Sequence, residues 1–127
     1  MTPSSEALNA LTAHLEPLVE GLAVICTHPP TSQWGSVRLE LQPHKKSAAR
    51  IFIWEEFDNL QIAIGNRTQE ELEGDSVDEL VSKVQKLVTS VVSQGYTERS
   101  AFGIPLKGRA GQLSPSALTA QKFWDPY

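Results

Sequence analysis

Apolar residues recur every three or four positions near the start of the chain, at Leu8, Leu11, Leu15, Leu18, Val19 and Leu22. That is the spacing of a helix with one buried stripe. With Ser4 or Ser5 as the cap, the pattern predicts a helix over about 5 to 22. Pro17 lies inside it, where the missing N–H and the ring clash should kink the helix or end it early, and Gly21 weakens the last turn further. Leu22 to Cys26 reads either as the helix end or as a short buried strand, because five apolar residues carry no distinguishing period. His28 to Gln33, with two prolines, reads as a loop.

From Trp34 the period becomes two. Val37, Leu39 and Leu41 alternate with Ser36, Arg38, Glu40 and Gln42, as in a strand with one buried face. Pro43 to Ser47 turns the chain. Ile51 to Trp54 is apolar at four successive positions, which predicts a strand in mid-sheet with both faces at least partly covered. Glu55 to Asn59 connects it to a third strand on which Leu60, Ile62 and Ile64 alternate with Gln61, Ala63 and Gly65. The three strands form an antiparallel meander. Residues 66–75 read as a loop.

Ser76-Val77-Asp78-Glu79 is a capping-box pattern, and Val77, Leu80, Val81, Val84, Leu87, Val88, Val91 and Val92 trace one apolar stripe behind it. Gly95 stands where a helix terminator belongs. Phe102, Ile104 and Leu106 then alternate as a further strand, placed at a sheet edge by Pro105. Ser114-Pro115 opens a short helix through about Phe123. The closing aromatics Trp124 and Tyr127 predict a docked tail. The fold class is α+β in the order α-β-β-β-α-β(β)-α, with the long helix on an antiparallel sheet and all 127 residues in one domain.

Composition narrows the setting. The chain is 40% hydrophobic, enough for a core without metal or disulfide, and its single cysteine, Cys26, cannot form an internal bridge and fits a reducing compartment. No apolar run reaches membrane-span length and no export signal opens the chain, so a cytoplasmic location is expected. The formal charge of -4 hides a segregation, for residues 55–79 hold nine acids against Arg67 alone. Solubility and helix dipoles account for such acids in general; a surface for a basic partner is the functional alternative. Meander geometry places the acids of the second connection and those after the third strand at opposite ends of the sheet, unless the 66–75 segment folds back along it. The basic residues Lys45, Lys46 and Arg50 make only a small spot without an aromatic-rich signature, which disfavours nucleic acid.

Motifs for catalysis or cofactors are absent. Cys26-Thr27-His28 lacks the base and electropositive setting of a nucleophilic thiol, and His14, His28 and His44 lack metal-ligand spacing. The acids do not follow a calcium-loop order. Glu55 and Glu56 are adjacent on an extended segment and point to opposite faces, so they cannot flank one glycosidic bond. Gly108-Arg109-Ala110-Gly111 is not a phosphate loop. Trp34 and Trp54 are packing residues by default, but an exposed tryptophan beside acids is a binding anchor. No cofactor, metal or catalytic residue is expected.

The strands Ser36 to Leu41 and Arg50 to Trp54, followed by the helix start Ser76-Val77-Asp78-Glu79-Leu80, resemble the small immunity proteins of bacterial polymorphic-toxin and contact-dependent inhibition systems. The element order also resembles secretion chaperones of the type III kind. The resemblance covers about residues 5 to 123, is one of topology and pattern, and carries over no site residue. It implies stoichiometric inhibition of a basic toxin, with no enzyme activity, through Trp34, Glu55, Glu56, Asp58, Glu70, Glu71, Glu73 and Asp75. A chaperone would instead be a homodimer holding an extended effector segment. A small enzyme or ligand binder, with a pocket between sheet and helix, is the third class.

Overall fold

The computed structural model describes residues 3–31, 35–66, 68–101, 104–105 and 119–127. The chain is α+β, as the periodicities predict, but its meander has five strands rather than three. Helix α1 (Pro3–Val19) leads into β1 (Ala23–His28), β2 (Arg38–Pro43), β3 (Ile51–Glu56), β4 (Asn59–Ile64) and β5 (Thr68–Leu72), all paired antiparallel in chain order. Helix α2 (Val77–Gln94) follows, and β6 (Tyr96–Ala101), β7 (Ile104–Pro105) and β8 (Thr119–Trp124) form a second sheet in the order β7-β6-β8.

The first helix spans Pro17 and stops at Val19 instead of 22. Pro17 removes the N–H that would bond the Ala13 carbonyl, and the helix runs only two residues beyond it. Gly21 at φ 74° then reverses the chain, and the Leu22 amide donates to the Val19 carbonyl at 2.8 Å. With the helix ended, Val24, Ile25 and Thr27 follow their branched-chain preference into β1, which continues through His28 and resolves the ambiguity of this segment in favour of a strand. The segment read as a 66–75 loop contains β5. Its Thr-Gln-Glu-Glu-Leu sequence shows no hydrophobic period because an edge strand half open to solvent on both faces does not need one.

The alternation on β2 to β4 works as expected. Leu39, Leu41, Ile51, Ile53, Leu60, Ile62 and Ile64 all turn inward and are buried, while Phe52 and Trp54 on the other face are half-covered. Helix α1 packs against β1, β3 and β4, and α2 lies beside α1. Leu8, Leu11, Leu15 and Val19 of α1 and Leu80, Val84, Val88 and Val91 of α2 complete one core with the inner sheet face. The α2 boundaries match the sequence signals: the Ser76 side chain accepts the Glu79 N–H at 3.2 Å, and Gly95 at φ 78° closes the helix onto the Val91 carbonyl.

Two corrections concern the C-terminal part. The strand β6 begins directly after Gly95, and residues 119–123, expected in a short helix, are extended in β8 and pair with β6 from Tyr96↔Trp124 to Ala101↔Thr119. Pairing in register outweighs the local helix-start signal of Ser114-Pro115, and residues 114–118 lie outside the described residues. The edge placement of Pro105 holds, whereas Phe102 and Leu106 lie outside the described residues.

The tail docks on the first sheet and on α2. The Asp125 amide donates to the Ser47 carbonyl at 2.9 Å and the Tyr127 amide to the Val92 carbonyl at 3.0 Å. The buried Tyr127 hydroxyl donates to the Ala49 carbonyl at 2.7 Å. No helix among the described residues is long and apolar enough to cross a membrane.

Two stability outcomes follow from this docking. A Cβ on Gly95 would stand 2.3 Å from the Trp124 carbonyl oxygen. With the positive φ added, Gly95→Ala is expected to cost at least about 2 kcal/mol in urea unfolding, and wild-type stability would refute the docked tail. Burial pushes the Tyr127 phenol above its ordinary range, so the folded state holds the proton more tightly than the unfolded chain. Its contribution is therefore complete below about pH 10 and declines as the pH rises beyond it. Tyr127→Phe should flatten that alkaline decline and cost about 1 kcal/mol at neutral pH, both read from thermal melts.

Candidate functional site

The hairpin joining β3 to β4 has two central residues, Phe57 and Asp58, between the pairs Glu56↔Asn59 and Glu55↔Leu60. Both sit at positive φ, 55° and 62°, as a tight two-residue hairpin turn demands. Asn and Gly adopt that conformation readily; a phenylalanine does so at a cost of roughly 1–2 kcal/mol. Phe57 is nevertheless 85% exposed and contributes nothing to the core. The hydrophobic period does not single it out, although an aromatic residue where turn chemistry asks for Asn or Gly is a readable signal.

Strand β5 brings the second group of acids back to this hairpin. Because Leu60 pairs with Leu72, residues 73–75 emerge at the end of the sheet that carries Phe57 and Asp58. The Asn59 side-chain Nδ2 donates to the Glu71 carboxylate at 2.6 Å, which ties the hairpin to β5. The fold-back that joins the acidic segments is thus present, with Glu56, Asp58, Glu71, Glu73 and Asp75 all exposed toward one end.

Both large helices also start at this end, and part of the acidity serves them. Glu55 is half-buried and accepts from the Ser4 hydroxyl and, at 2.7 and 2.8 Å, from the Ser5 hydroxyl in the first turn of α1. The Glu79 carboxylate accepts the Asp75 amide at 3.1 Å and pairs with Lys83 at 3.5 Å. The backbone hydrogen bond, aided by the Lys83 charge, holds its carboxyl below the usual carboxylate range. The Lys83 ammonium also donates to the Glu73 carbonyl.

The predicted contact residues therefore divide. Glu56, Asp58, Glu71, Glu73 and Asp75 come together. Glu55 shares the location but is engaged with the α1 serines. Glu70 pairs opposite Ile62 and so faces the helix side of the sheet, away from Glu71. Trp34 lies outside the described residues. Trp54 is half-buried and donates its indole N–H to Glu56 at 3.3 Å. Gly35, Ser36, Trp54, Phe57 and Asp58 line a cleft of 420 Å³ together with Glu55 and Glu56. Glu55 and Glu56 do point to opposite faces, toward the α1 serines and toward Trp54 respectively.

The outer face of the sheet holds one polar cluster that spacing alone did not reveal. Glu40, only 4% exposed, accepts from Arg50 Nε at 3.1 Å and bonds His28 Nε2 at 2.7 Å, linking three neighbouring strand segments. A charged residue between the buried Leu39 and Leu41, with His28 and Arg50 nearby in an antiparallel register, is the pattern that encodes it. Cys26 pairs opposite Glu40 on the same face and is half-buried. Among the described residues no group of three or more His, Cys, Asp or Glu side chains is arranged to hold a metal ion.

The chain matches no family model, no curated protein and no solved structure. The geometry alone thus carries any functional reading. Replacing Phe57 by Asn and Asp58 by Gly is expected to raise stability by about 1 kcal/mol in urea unfolding, because the turn strain disappears and no core contact is lost. A loss of stability would show that Phe57 supports the fold.

Proposed function

We propose that this chain is a non-catalytic protein-binding domain, an immunity protein that neutralises a cognate bacterial toxin in the cytoplasm by stoichiometric contact. The observation that carries the reading is Phe57, 85% exposed on a conformationally costly turn and flanked by carboxylates that cap no helix. Strain retained at an exposed position is characteristic of functional surfaces. Glu56, Asp58, Glu71, Glu73 and Asp75 draw a basic surface into encounter and set its orientation. Burying Phe57 in that surface then contributes about 2 kcal/mol, enough for roughly thirtyfold in affinity.

A second reading, an adaptor for an extended effector segment, has a different support. Strand β1 is an edge of the sheet, none of its six residues is buried, and Val24 is 49% exposed. Such an edge accepts an added strand.

Purification of the tagged chain from its native host separates the readings. The inhibitor reading expects a basic toxin domain in one-to-one ratio, released by moderate salt and inactive while bound. Phe57→Ala and the pair Glu73→Lys with Asp75→Lys should each weaken that complex at least about tenfold while far-UV circular dichroism stays unchanged. Unchanged affinity in both variants would remove the acidic end from the interface, and a complex lost on disrupting β1 instead would favour the adaptor.

A further inference from the structure

The opposite end of the first sheet carries the reverse charge. The β2–β3 connection holds Lys45 and Lys46, and Arg50 stands just before β3. The docked tail brings Trp124 to this place, so the basic spot gains the aromatic companions that the local sequence lacks. Lys46, Arg50, Phe52, Asn66 and Trp124 line a cleft of 350 Å³ floored by the buried Ala48. Its size lies within the range of small-ligand sites.

The chemistry of the lining is specific. Glu40 holds Arg50 through Nε, which fixes the guanidinium while leaving its two terminal nitrogens for another acceptor. Among the described residues, those terminal nitrogens and the Lys46 ammonium have no hydrogen-bond or ion-pair partner. The negative charge of Glu40 is already shared between Arg50 and His28. Asp125 bridges to Ala48 through the backbone but does not line the cleft. Two cationic donors therefore meet two aromatic side chains in one concavity. Phe52 has the Arg38 guanidinium 5.1 Å from its ring centre, which supports the ring from a neighbouring strand.

We propose that this cleft binds a small phosphorylated ligand with a flat aromatic group, a mononucleotide in its chemistry. The phosphate lies between Lys46 and Arg50, and the aromatic group lies against Phe52 and the small part of the buried Trp124, 8% of its surface, that lines the cleft. The site is independent of the acidic end and of any partner bound there.

The test uses the full chain labelled with nitrogen-15 and titrated separately with AMP, ribose 5-phosphate and adenosine. AMP is expected to give saturable amide shifts centred on residues 46–52, 65–66 and 124–127. Ribose 5-phosphate should bind at least about tenfold more weakly, and adenosine not measurably. Lys46→Glu, at an exposed turn position that leaves the Glu40–Arg50 pair intact, should weaken AMP at least about tenfold without altering the spectrum elsewhere. Shifts that do not saturate or that centre elsewhere would overturn the proposal. So would adenosine or ribose 5-phosphate binding as tightly as AMP, or a Lys46→Glu variant with unchanged affinity.

Discussion

Seven branched aliphatic side chains, Leu39, Leu41, Ile51, Ile53, Leu60, Ile62 and Ile64, occupy one face of three adjacent strands, each at most 2% exposed. Their period of two locks the meander, since slipping any strand by one residue would turn its aliphatic set to solvent. Everything on the outer face inherits that register. Glu40 lies opposite Cys26 and Phe52 and within reach of His28 and Arg50 because Leu39 and Leu41 must face the helices. The polar cluster is thus held by the hydrophobic layer beneath it, and its bonds in turn tie the edge strand β1 to the sheet interior.

The same register sorts charge along the strands. Strands of about six residues separate their two ends by roughly 20 Å. At one end the hairpin tip, the exit of β5 and the starts of both helices converge; at the other lie Lys45, Lys46 and Arg50. Helix starts favour negative charge, so the acidic end is partly a requirement of the fold. Glu55 and Glu79 meet that requirement by bonding the first turn of α1 and the entry to α2. Glu56, Asp58, Glu71, Glu73 and Asp75 exceed it, and only that excess bears on a partner.

Long periodic segments were legible because their burial is one-sided. The Ser76 cap, the valine stripe and Gly95 predict α2 to within a residue, and Leu39 to Ile64 predict the three central strands. The elements that were not legible draw their order from distant partners. Thr68 to Leu72 is extended because β4 offers it a ladder, and its polar composition suits an edge. Thr119 to Trp124 is extended because β6 does the same, against a helix-start signal that ends before it. The union of the acids was legible only as a condition, since it hangs on the β5 pairing. The basic cleft was invisible for a related reason: Trp124 is far from Lys46 in sequence and is brought to it by its pairing with Tyr96 and by the backbone bond from Asp125 to Ser47.

The two ends differ in how rigidly they are built, and that difference bears on what each can recognise. The basic cleft is bounded in part by held residues: Arg50 by Glu40, Trp124 by its pairing with Tyr96, and Ala48 by its bridge to Asp125. A concavity with one donor already held suits a small ligand, which cannot supply the energy to organise its whole site. The acidic end is convex at Phe57, and its free carboxylates sit on a hairpin tip and a strand exit. Such a surface gains little from a small molecule, because it encloses none. It gains from a large basic partner that covers the phenylalanine and several carboxylates together, excluding water from all of them at once. The strained turn is consistent with that division, since the free chain bears its cost and only a partner able to bury Phe57 offsets it.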